Sequence, residues 1–355
     1  MRTGLVVGKF YPPHPGHHAL VETAADRCDE LVVLVEAADR ETVPLADRVA
    51  WMRAEHPRVR VLGARCDAPV DYGSETVWAA QVRIVQVALA LAGVDRVDVV
   101  FSSEAYGTEL ARRLGAVHDL VDPGRTRVPL SATRVRTDPL RHFASLRPSV
   151  RAGLAVRAVL LGAESTGTTT VSRLVAEELR SRGGAHARTE WVREHGRDHS
   201  VELLERRGPG ARMEDVVWTP ADFAAIATRQ NALEEEAART GGPVLVCDTD
   251  SLATTIWERR YLGSTSRATQ EAADRRSPRR TYFVTDHVGV PFVQDGYRDG
   301  EHVRAEMTDW FLQALTAAGE SWVLLTGSIA ERVELTLRVV DRQVADRFTF
   351  GEPLG

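Results

Sequence analysis

The sequence predicts an α/β protein made of two doubly wound parallel-sheet domains. Three observations lead to this prediction. Short apolar runs alternate with stretches of helical length, the alternation stops near residue 150 and starts again, and each half opens with an apolar run followed by a glycine-containing turn. Such alternation is typical of parallel strands with helices on both faces of the sheet.

Length and composition agree with two globular domains. The chain has 355 residues, and a domain takes about 150 residues. Hydrophobic residues make up 43% and charged residues 27%, which excludes a disordered chain. The net charge of −5 argues against a dedicated nucleic-acid binder. The longest apolar segment is too short for a bilayer, which needs about 20 residues. We therefore expect a cytoplasmic protein with neither nucleic acid nor membrane as a partner.

The first domain is predicted at residues 1–150. Its strands are expected at Leu5–Val7, Leu31–Val35, Val59–Leu62, Val97–Phe101 and Ala116–Val121, and its helices at Gly16–Arg27, Ala46–Glu55, Glu75–Leu91 and Glu104–Leu114. The segment Thr137–Ala155 contains two prolines and a glycine, which predicts a domain boundary there.

The second domain is predicted at residues 156–355. Its strands are expected at Ala158–Leu161, Val244–Cys247, Thr281–Val284 and Trp322–Leu325, and its helices at Thr168–Arg182, Ala221–Thr240, Leu252–Tyr261, Glu301–Ala318 and Ile329–Asp346. Arg206–Pro220 is rich in glycine, proline and charge and is expected to be a loop.

The stretch from Gly8 to His17 reads GKFYPPHPGH and lies between the first strand and the first helix. Open α/β sheets bind ligands at this place. His14 and His17 are three residues apart, and Gly16 lets a ligand approach the backbone. Imidazoles beside the N–H groups of a helix amino terminus suit a phosphate. Isolated surface or core histidines are the alternative, which a ten-residue pattern in this context disfavours.

Two further features extend this candidate site. Lys9 is the single lysine in an arginine-rich chain. Coding bias explains the arginines, whereas a retained ammonium indicates a position that a guanidinium cannot serve. Ser131 and Thr133 can cap a helix and donate to phosphate oxygens, and Arg136 can bind a phosphate. Taken alone, the segment is explained equally well as a simple helix cap.

The stretch Gly162–Thr170 follows the first strand of the second half and fits the phosphate-loop pattern GxxxxGK[ST] except at one position. Thr168 stands where the pattern has lysine, and Thr169 would be the Mg²⁺ ligand. A helix cap is the alternative. Further on, an apolar strand ends in Asp248 and Asp250, which can hold magnesium or accept a proton from a hydroxyl group. Capping by Asp250 alone is the simpler alternative.

These motifs resemble those of known enzymes. Gly8–His17 resembles the GxFxPxHxGH signature of the nucleotidylyltransferases, and Leu130–Arg136 resembles their ISxTxxR segment. With the phosphate loop in second place, the chain resembles the bifunctional nicotinamide mononucleotide adenylyltransferase/ribosylnicotinamide kinase family of the NadR type. Further similar stretches are Asp47–Arg48, Phe101–Glu104, Leu120–Pro123, Thr189–Glu190, Asp248–Asp250, Tyr261–Gly263 and Asp295–Arg298.

The resemblance implies a Rossmann-like nucleotidylyltransferase domain followed by a P-loop kinase-like domain. It implies adenylyl transfer from ATP to nicotinamide mononucleotide, which gives NAD and pyrophosphate, and phosphorylation of nicotinamide riboside, with ATP as substrate and Mg²⁺ as cofactor. In the first domain it implies Lys9, His14, His17 and Arg136 as catalytic residues and Gly8, Phe10, Gly16, Ser131 and Thr133 as ATP-binding residues. In the second it implies Asp248 as catalytic, Gly162, Gly167, Thr168, Thr169 and Arg298 as ATP-binding, Glu190, Asp250 and Asp295 as riboside-binding, and Thr169 and Asp248 as metal ligands.

The sequence departs from this family at two points. The first motif starts at residue 8, so we expect a form without the DNA-binding domain that some members carry at the amino terminus. Thr168 removes the phosphate-loop lysine, which places the kinase activity in question. Three hypotheses stay open: a bifunctional enzyme, an adenylyltransferase with an inactive nucleotide-binding kinase domain, and a non-catalytic NAD or ATP sensor. The choice between nicotinamide and nicotinate substrates and the formation of a homo-oligomer also stay open.

Overall fold

The computed structural model describes residues 1–124, 126, 128–208, 210–212, 215–294, 298 and 300–354. The chain forms two compact units, of which the first contains residues 1–153 and the stretch from Arg347 onward, and the second contains Leu154–Asp346. Each unit contains a five-stranded sheet. All the strand pairs in both sheets are parallel, so the predicted fold class is confirmed.

The sheet of the first unit has the strand order β3-β2-β1-β4-β5. Its strands are β1 Thr3–Gly8, β2 Glu30–Ala37, β3 Arg60–Arg65, β4 Val99–Ser102 and β5 Val117–Leu120; its helices are α1 Pro15–Ala25, α2 Leu45–Glu55, α3 Glu75–Leu91, α4 Tyr106–Leu114, α5 Ala132–Thr137, α6 Pro139–His142 and α7 Pro148–Leu154. The middle of the central strand β1, Leu5–Val7, is apolar because helices cover both faces of the sheet. Leu5 packs in one layer with Trp78, and Val6 packs in the other with Met52.

The sheet of the second unit has the order β10-β9-β6-β8-β7. Its strands are β6 Val156–Gly162, β7 Glu190–Val192, β8 Val244–Asp248, β9 Arg280–Thr285 and β10 Ser321–Leu325; its helices are α8 Thr168–Ser181, α9 His195–Arg207, α10 Pro220–Thr240, α11 Ser251–Leu262, α12 Arg267–Asp274, α13 Arg304–Ala317 and α14 Ile329–Arg347. None of the helices in the described part of the chain has the length and apolar composition needed to span a bilayer.

The predicted boundary segment is more regular than expected. Pro139 and Pro148 are the first residues of α6 and α7. Proline is favoured at that position because its missing N–H is not needed there. The two prolines therefore start helices inside the segment where the sequence predicts the domain boundary, and the two units divide between Gly153 and Leu154.

The carboxyl end of the chain also differs from the predicted domain limits. The second domain was expected to run to residue 355, whereas the stretch from Arg347 belongs to the first unit. Phe348 is 7% exposed, and its ring lies edge-on to Phe143 with the centroids 5.7 Å apart. The buried contact between Phe348 and Phe143 attaches this stretch to the first unit.

Candidate functional site

The loop after β1 places two imidazole rings side by side at the start of α1. The ring centroids of His14 and His17 are 3.8 Å apart, and Phe10 lies 4.8 Å from His17. His14 Nδ1 accepts a hydrogen bond from the Gly16 amide, and His17 Nδ1 accepts one from the His14 amide. With Nδ1 accepting in both rings, Nε2 is the donor nitrogen of each, and such a donor suits a phosphate oxygen.

Gly16 connects this loop to the second motif of the first domain. A Cβ atom at Gly16 would lie 2.9 Å from His14 Cε1 and 3.3 Å from the Leu130 carbonyl oxygen, so glycine is required. Arg136 Nη1 donates to the Tyr11 carbonyl at 3.0 Å. Two segments far apart in sequence therefore meet at one end of β1.

The remaining candidates of the first domain shape this loop or start α5. Phe10 has a φ of 46°, in the left-handed region, and its ring lies over Gly8. Ser131 Oγ caps α5 by accepting the Arg134 amide at 3.3 Å. Thr133 Oγ1 accepts from Arg136 Nη2 at 3.4 Å. Ser131 is thus a helix cap, and Thr133 lies beside Arg136.

Lys9 lies against an acidic partner that the sequence analysis did not single out. Its ammonium is 3.4 Å from Glu41 Oε1. Burial lowers the pKa of Lys9, and the Glu41 carboxylate opposes that shift. The fully buried Arg48 donates to the other Glu41 oxygen at 2.6 Å and to the Lys9 carbonyl at 3.0 Å. Arg48 therefore holds the backbone of Lys9, and Glu41 holds its ammonium group.

The phosphate loop of the second unit has a steric reason for each of its glycines. Gly167 has a φ of 88°, which favours glycine. A Cβ atom at Gly162 would overlap the hydroxyl groups of Thr285, Thr166 and Thr168.

Thr168, in the place of the lysine, turns its hydroxyl toward the end of β9. Its Oγ1 lies 2.8 Å from Thr285 Oγ1 and 3.2 Å from Thr166 Oγ1. Two arginines bind the outside of the loop: Arg332 donates to the Thr166 carbonyl at 2.8 Å, and Arg304 donates to the Ser165 carbonyl at 3.1 Å. The loop is thus held by hydroxyl groups and guanidinium groups, and residue 168 contributes no charge.

Two carboxylates, the buried Asp248 and the half-buried Glu194, lie next to this loop. Asp248, at the end of β8, accepts a hydrogen bond from the Thr169 hydroxyl, and burial raises the pKa of Asp248 to about 6. Burial and the neighbouring Asp248 carboxylate raise the pKa of Glu194 to about 7. The sequence analysis missed Glu194 because it follows β7, a strand of three residues that shows no periodic pattern.

The oxygen ligands at this place suit magnesium. Within the described ranges, no group of three or more His, Cys, Asp or Glu side chains could hold a metal ion. Mg²⁺ is commonly held by one or two carboxylates together with water and substrate phosphates. The Thr169 hydroxyl and the Asp248 carboxylate fit that description, and Glu194 adds a second carboxylate.

A cavity of about 190 Å³ extends from the phosphate loop to an aromatic wall. The wall consists of Trp218, Phe223, Trp257 and Tyr261. The rings of Trp218 and Tyr261 are stacked, with centroids 5.4 Å apart and planes at 29°. The buried Trp218 Nε1 has no hydrogen-bond partner among the described residues. The cavity therefore combines an anion-binding end with a flat apolar end.

Arg298 is the first cation that the sequence predicts for the place of the missing lysine, and Arg193 is the second. Arg298 lines the cavity and donates to the Val293 carbonyl at 2.6 Å. Arg197 lines the same cavity, and its positive charge opposes the rise in the pKa of Asp248 and of Glu194. Arg197 was not singled out, because it lies on α9, a helix that the sequence analysis missed.

Two expected riboside contacts lie elsewhere. Glu190 is the first residue of β7, beside Gly241, at the end of the strand opposite the loop edge, and it does not line the described cavity. Asp250 is fully buried, caps α11 by accepting the Leu252 and Ala253 amides, and accepts the Tyr282 hydroxyl at 2.8 Å. The simpler alternative, helix capping, is what the structure shows for Asp250. Asp295 lies outside the described residues.

Known proteins resemble the chain in both halves. The family described as Cytidylyltransferase-like matches residues 5–137, and the family described as AAA domain matches residues 157–332. A probable nicotinate-nucleotide adenylyltransferase of Cereibacter sphaeroides is 31% identical over 163 residues, covering 43% of this chain and 82% of that protein. The trifunctional NAD biosynthesis/regulator proteins NadR of Salmonella typhimurium and Escherichia coli are 24% and 25% identical, and each alignment covers 83% of this chain and 71% of the relative.

The chain belongs to the NadR family. Its first domain is a nucleotidyltransferase domain and its second a P-loop kinase-type domain, so the predicted place in NAD biosynthesis is confirmed. Two crystal structures of a NadR protein, one in complex with NAD and AMP-PNP and one in complex with NR, have TM-scores of 0.61 and 16% identity. The alignments cover 97% and 100% of this chain and 96% and 97% of those chains. The fold of the family therefore extends over the whole chain.

Proposed function

We propose that the first domain transfers the adenylyl group of ATP to nicotinamide mononucleotide, and that the second phosphorylates nicotinamide riboside with ATP. For the first domain, the observation that carries the proposal is the side-by-side position of His14 and His17 in the loop whose Tyr11 carbonyl is bound by Arg136. Relatives named for NAD biosynthesis and for nicotinate-nucleotide adenylyl transfer support this class of substrate.

In the proposed transfer, a phosphate oxygen of the mononucleotide attacks the α-phosphorus of ATP. The bond from that phosphorus to the oxygen bridging to the β-phosphate breaks, and pyrophosphate leaves with the added charge. His14, His17, Lys9 and Arg136 bind phosphate oxygens and stabilise this charge, while Gly8, Phe10, Gly16, Ser131 and Thr133 shape the nucleotide site. Positioning and charge stabilisation account for the catalysis, without a covalent intermediate on the protein.

Pyrophosphate release from ATP tests this proposal with nicotinamide and nicotinate mononucleotides as alternative acceptors. Arg136→Ala should lower kcat/KM by about a hundredfold or more, the scale for one lost charge-stabilising donor. Arg141→Ala, an exposed arginine of the neighbouring α6, serves as the control and should leave the rate unchanged. A chain that releases no pyrophosphate with either acceptor contradicts the proposal.

For the kinase half, the observation that carries the proposal is the cavity with the phosphate loop at one end and four aromatic rings at the other. The aromatic end suits stacking of a flat pyridine ring. Mg²⁺ held by Thr169 and Asp248 would offset the charge of the nucleotide phosphates. We infer that Asp248 accepts the proton of the riboside hydroxyl and that Arg298 takes the place of the missing lysine.

Thr168 favours a second candidate function, in which the kinase half binds a nucleotide without transferring its phosphate. A phosphate-loop lysine reaches the β- and γ-phosphates, whereas the Thr168 hydroxyl is bound to Thr285. Riboside phosphorylation by the full chain separates the two candidates. Turnover that falls in Arg298→Ala but not in the exposed Arg338→Ala supports transfer with a substituted cation. Turnover that appears only in Thr168→Lys shows an inactive kinase half.

The cytoplasmic location and the small-molecule partners expected from the sequence are part of this proposal. The sensor hypothesis predicts nucleotide binding without turnover in either half, which the two assays above would reveal.

A further inference from the structure

The last residues of the chain reach the loop that carries Lys9. Beyond Arg347, the buried Phe348 packs against Phe143. Phe350 meets the Tyr11 ring edge-on, with the centroids 5.5 Å apart and the planes at 81°. These two phenylalanines, here called the anchor, attach the chain end to the first unit.

Residues 351–354, here called the clasp, continue from the anchor across the loop. The Gly351 amide donates to Thr42 Oγ1 at 3.4 Å, and that hydroxyl is 2.7 Å from the Tyr11 hydroxyl. The Leu354 carbonyl accepts a hydrogen bond from Lys9 Nζ. The clasp therefore takes one hydrogen bond of the ammonium that the proposed function assigns to a nucleotide phosphate, beside the ion pair of that ammonium with Glu41.

We propose that the clasp and the phosphates of the nucleotide compete for Lys9, so that nucleotide binding to the first domain releases the clasp. The inference rests on the proposed role of Lys9. A charged phosphate oxygen forms a stronger hydrogen bond with an ammonium than a neutral carbonyl does. The clasp is half-buried or exposed, whereas Phe348 is buried. Release of the clasp therefore costs little packing and leaves the anchor in place.

The single lysine makes this contact directly measurable. Apart from Lys9, the chain has one amine, the α-amino group of Met1, a residue that is 89% exposed. Limited acylation followed by peptide mass spectrometry gives the ratio of Lys9 to Met1 modification. We expect that ratio to rise about tenfold in a chain that ends at Phe350, the scale of one charge-assisted hydrogen bond.

A full-length variant checks that the effect comes from the contact and not from the chain length. Gly351→Val should raise the ratio as well, because a Cβ atom there would lie 3.0 Å from the Arg40 carbonyl oxygen. Glu352→Gln, an exposed change within the clasp, is the matched control and should leave the ratio as it is. Equal ratios in all four chains would overturn the proposal.

Hydrogen exchange of the full chain tests the competition itself, with magnesium and α,β-methylene ATP as the probe. We expect slower exchange in the loop of residues 9–17 and faster exchange in residues 351–354. A protected loop with an unchanged clasp overturns the competition and leaves the proposed function intact. No response in either segment overturns the proposed nucleotide site, and the competition with it.

Discussion

His17 lies between Phe10 and His14 at the start of α1, with its Nδ1 bound by the backbone. Replacement by alanine removes one oriented donor and no part of the buried core, since His17 is half-buried. We expect His17→Ala to lower kcat of adenylyl transfer about a hundredfold or more while the thermal midpoint stays close to that of the parent. Near-normal turnover by the folded variant would contradict the assignment.

His18, the next residue along the same helix, faces inward. Its Nδ1 lies 2.8 Å from His56 Nε2, and the His18 side chain is fully buried. Burial lowers the pKa of His18 to about 3 and also lowers the pKa of His56. An unfolded histidine binds a proton below about pH 6.5, so acid favours the unfolded state. The buried pair therefore makes the first unit sensitive to acid.

We expect the free energy of unfolding of the first unit to fall by roughly 1.4 kcal/mol per pH unit through His18 as the pH drops below about 6.5, and His56 to act in the same direction. Hydrogen exchange of the α1 amides at several pH values measures that slope. His18→Gln keeps a hydrogen-bonding side chain that does not titrate. It should reduce the slope by roughly 1.4 kcal/mol per pH unit, which corresponds to one proton. An unchanged slope would show that His18 does not contribute.

At the scale of elements, the short strand β7 leads into Glu194, which lies near Asp248. Asp248 and Glu194 have pKa values of about 6 and about 7, raised mainly by burial. Both carboxylates are protonated at low pH, when they bind magnesium and accept a proton poorly. We therefore expect riboside phosphorylation to increase as the pH rises through the range from about 6 to about 7.

Glu194→Gln should lower kcat of riboside phosphorylation and remove the upper step of this pH profile. Glu190→Gln, at the other end of β7, is the matched control and should change neither. A pH profile that Glu190→Gln alters and Glu194→Gln does not would return the riboside role to Glu190.

The elements that the sequence predicts best are the buried parallel strands. β1 and β6 contain the apolar runs Leu5–Val7 and Ala158–Leu161, each strand ends in glycine, and both recognisable loops follow directly from them. α9 has no buried residue, so it lacks the apolar stripe on which helix prediction depends. The local motifs were predictable for the same reason as the strands, because the backbone itself requires particular residues such as Gly16 and Gly167.

The parts of the site that come from several elements were not predictable. The aromatic wall combines Phe223 of α10 with Trp257 and Tyr261 of α11. Their meeting depends on the strand order, which a single sequence does not give. Asp250 shows a different difficulty: Asp248 and Asp250 both lie at the end of the same strand, and only the helix-capping bonds and the Tyr282 contact of Asp250 distinguish them.

At the scale of the whole molecule, the first unit is discontinuous in sequence. Residues 1–153 made alone lack the ring of Phe348. We expect this fragment to be less stable than the same unit in the full chain by about 3 kcal/mol, the scale for a lost buried phenylalanine. Urea unfolding measures the difference. A synthetic peptide of residues 347–355, added in excess, should restore part of it, and a peptide with Phe348→Ala should not. Equal stability with and without the wild-type peptide would contradict the expectation.

The position of the anchor at the end of the chain also has a consequence during translation. Residues Leu154–Asp346 are made before the anchor, and at ribosomal speed they take roughly 10–40 s. During that interval the nascent first unit can form its sheet. Tyr11 and Phe143 lack their contacts with the anchor rings until the anchor has been synthesised. A ribosome that stalls within the kinase half therefore releases a product that contains residues 1–153 but lacks the anchor that completes the first unit. The first unit therefore acquires its full set of contacts only after the residues of the second unit have been synthesised.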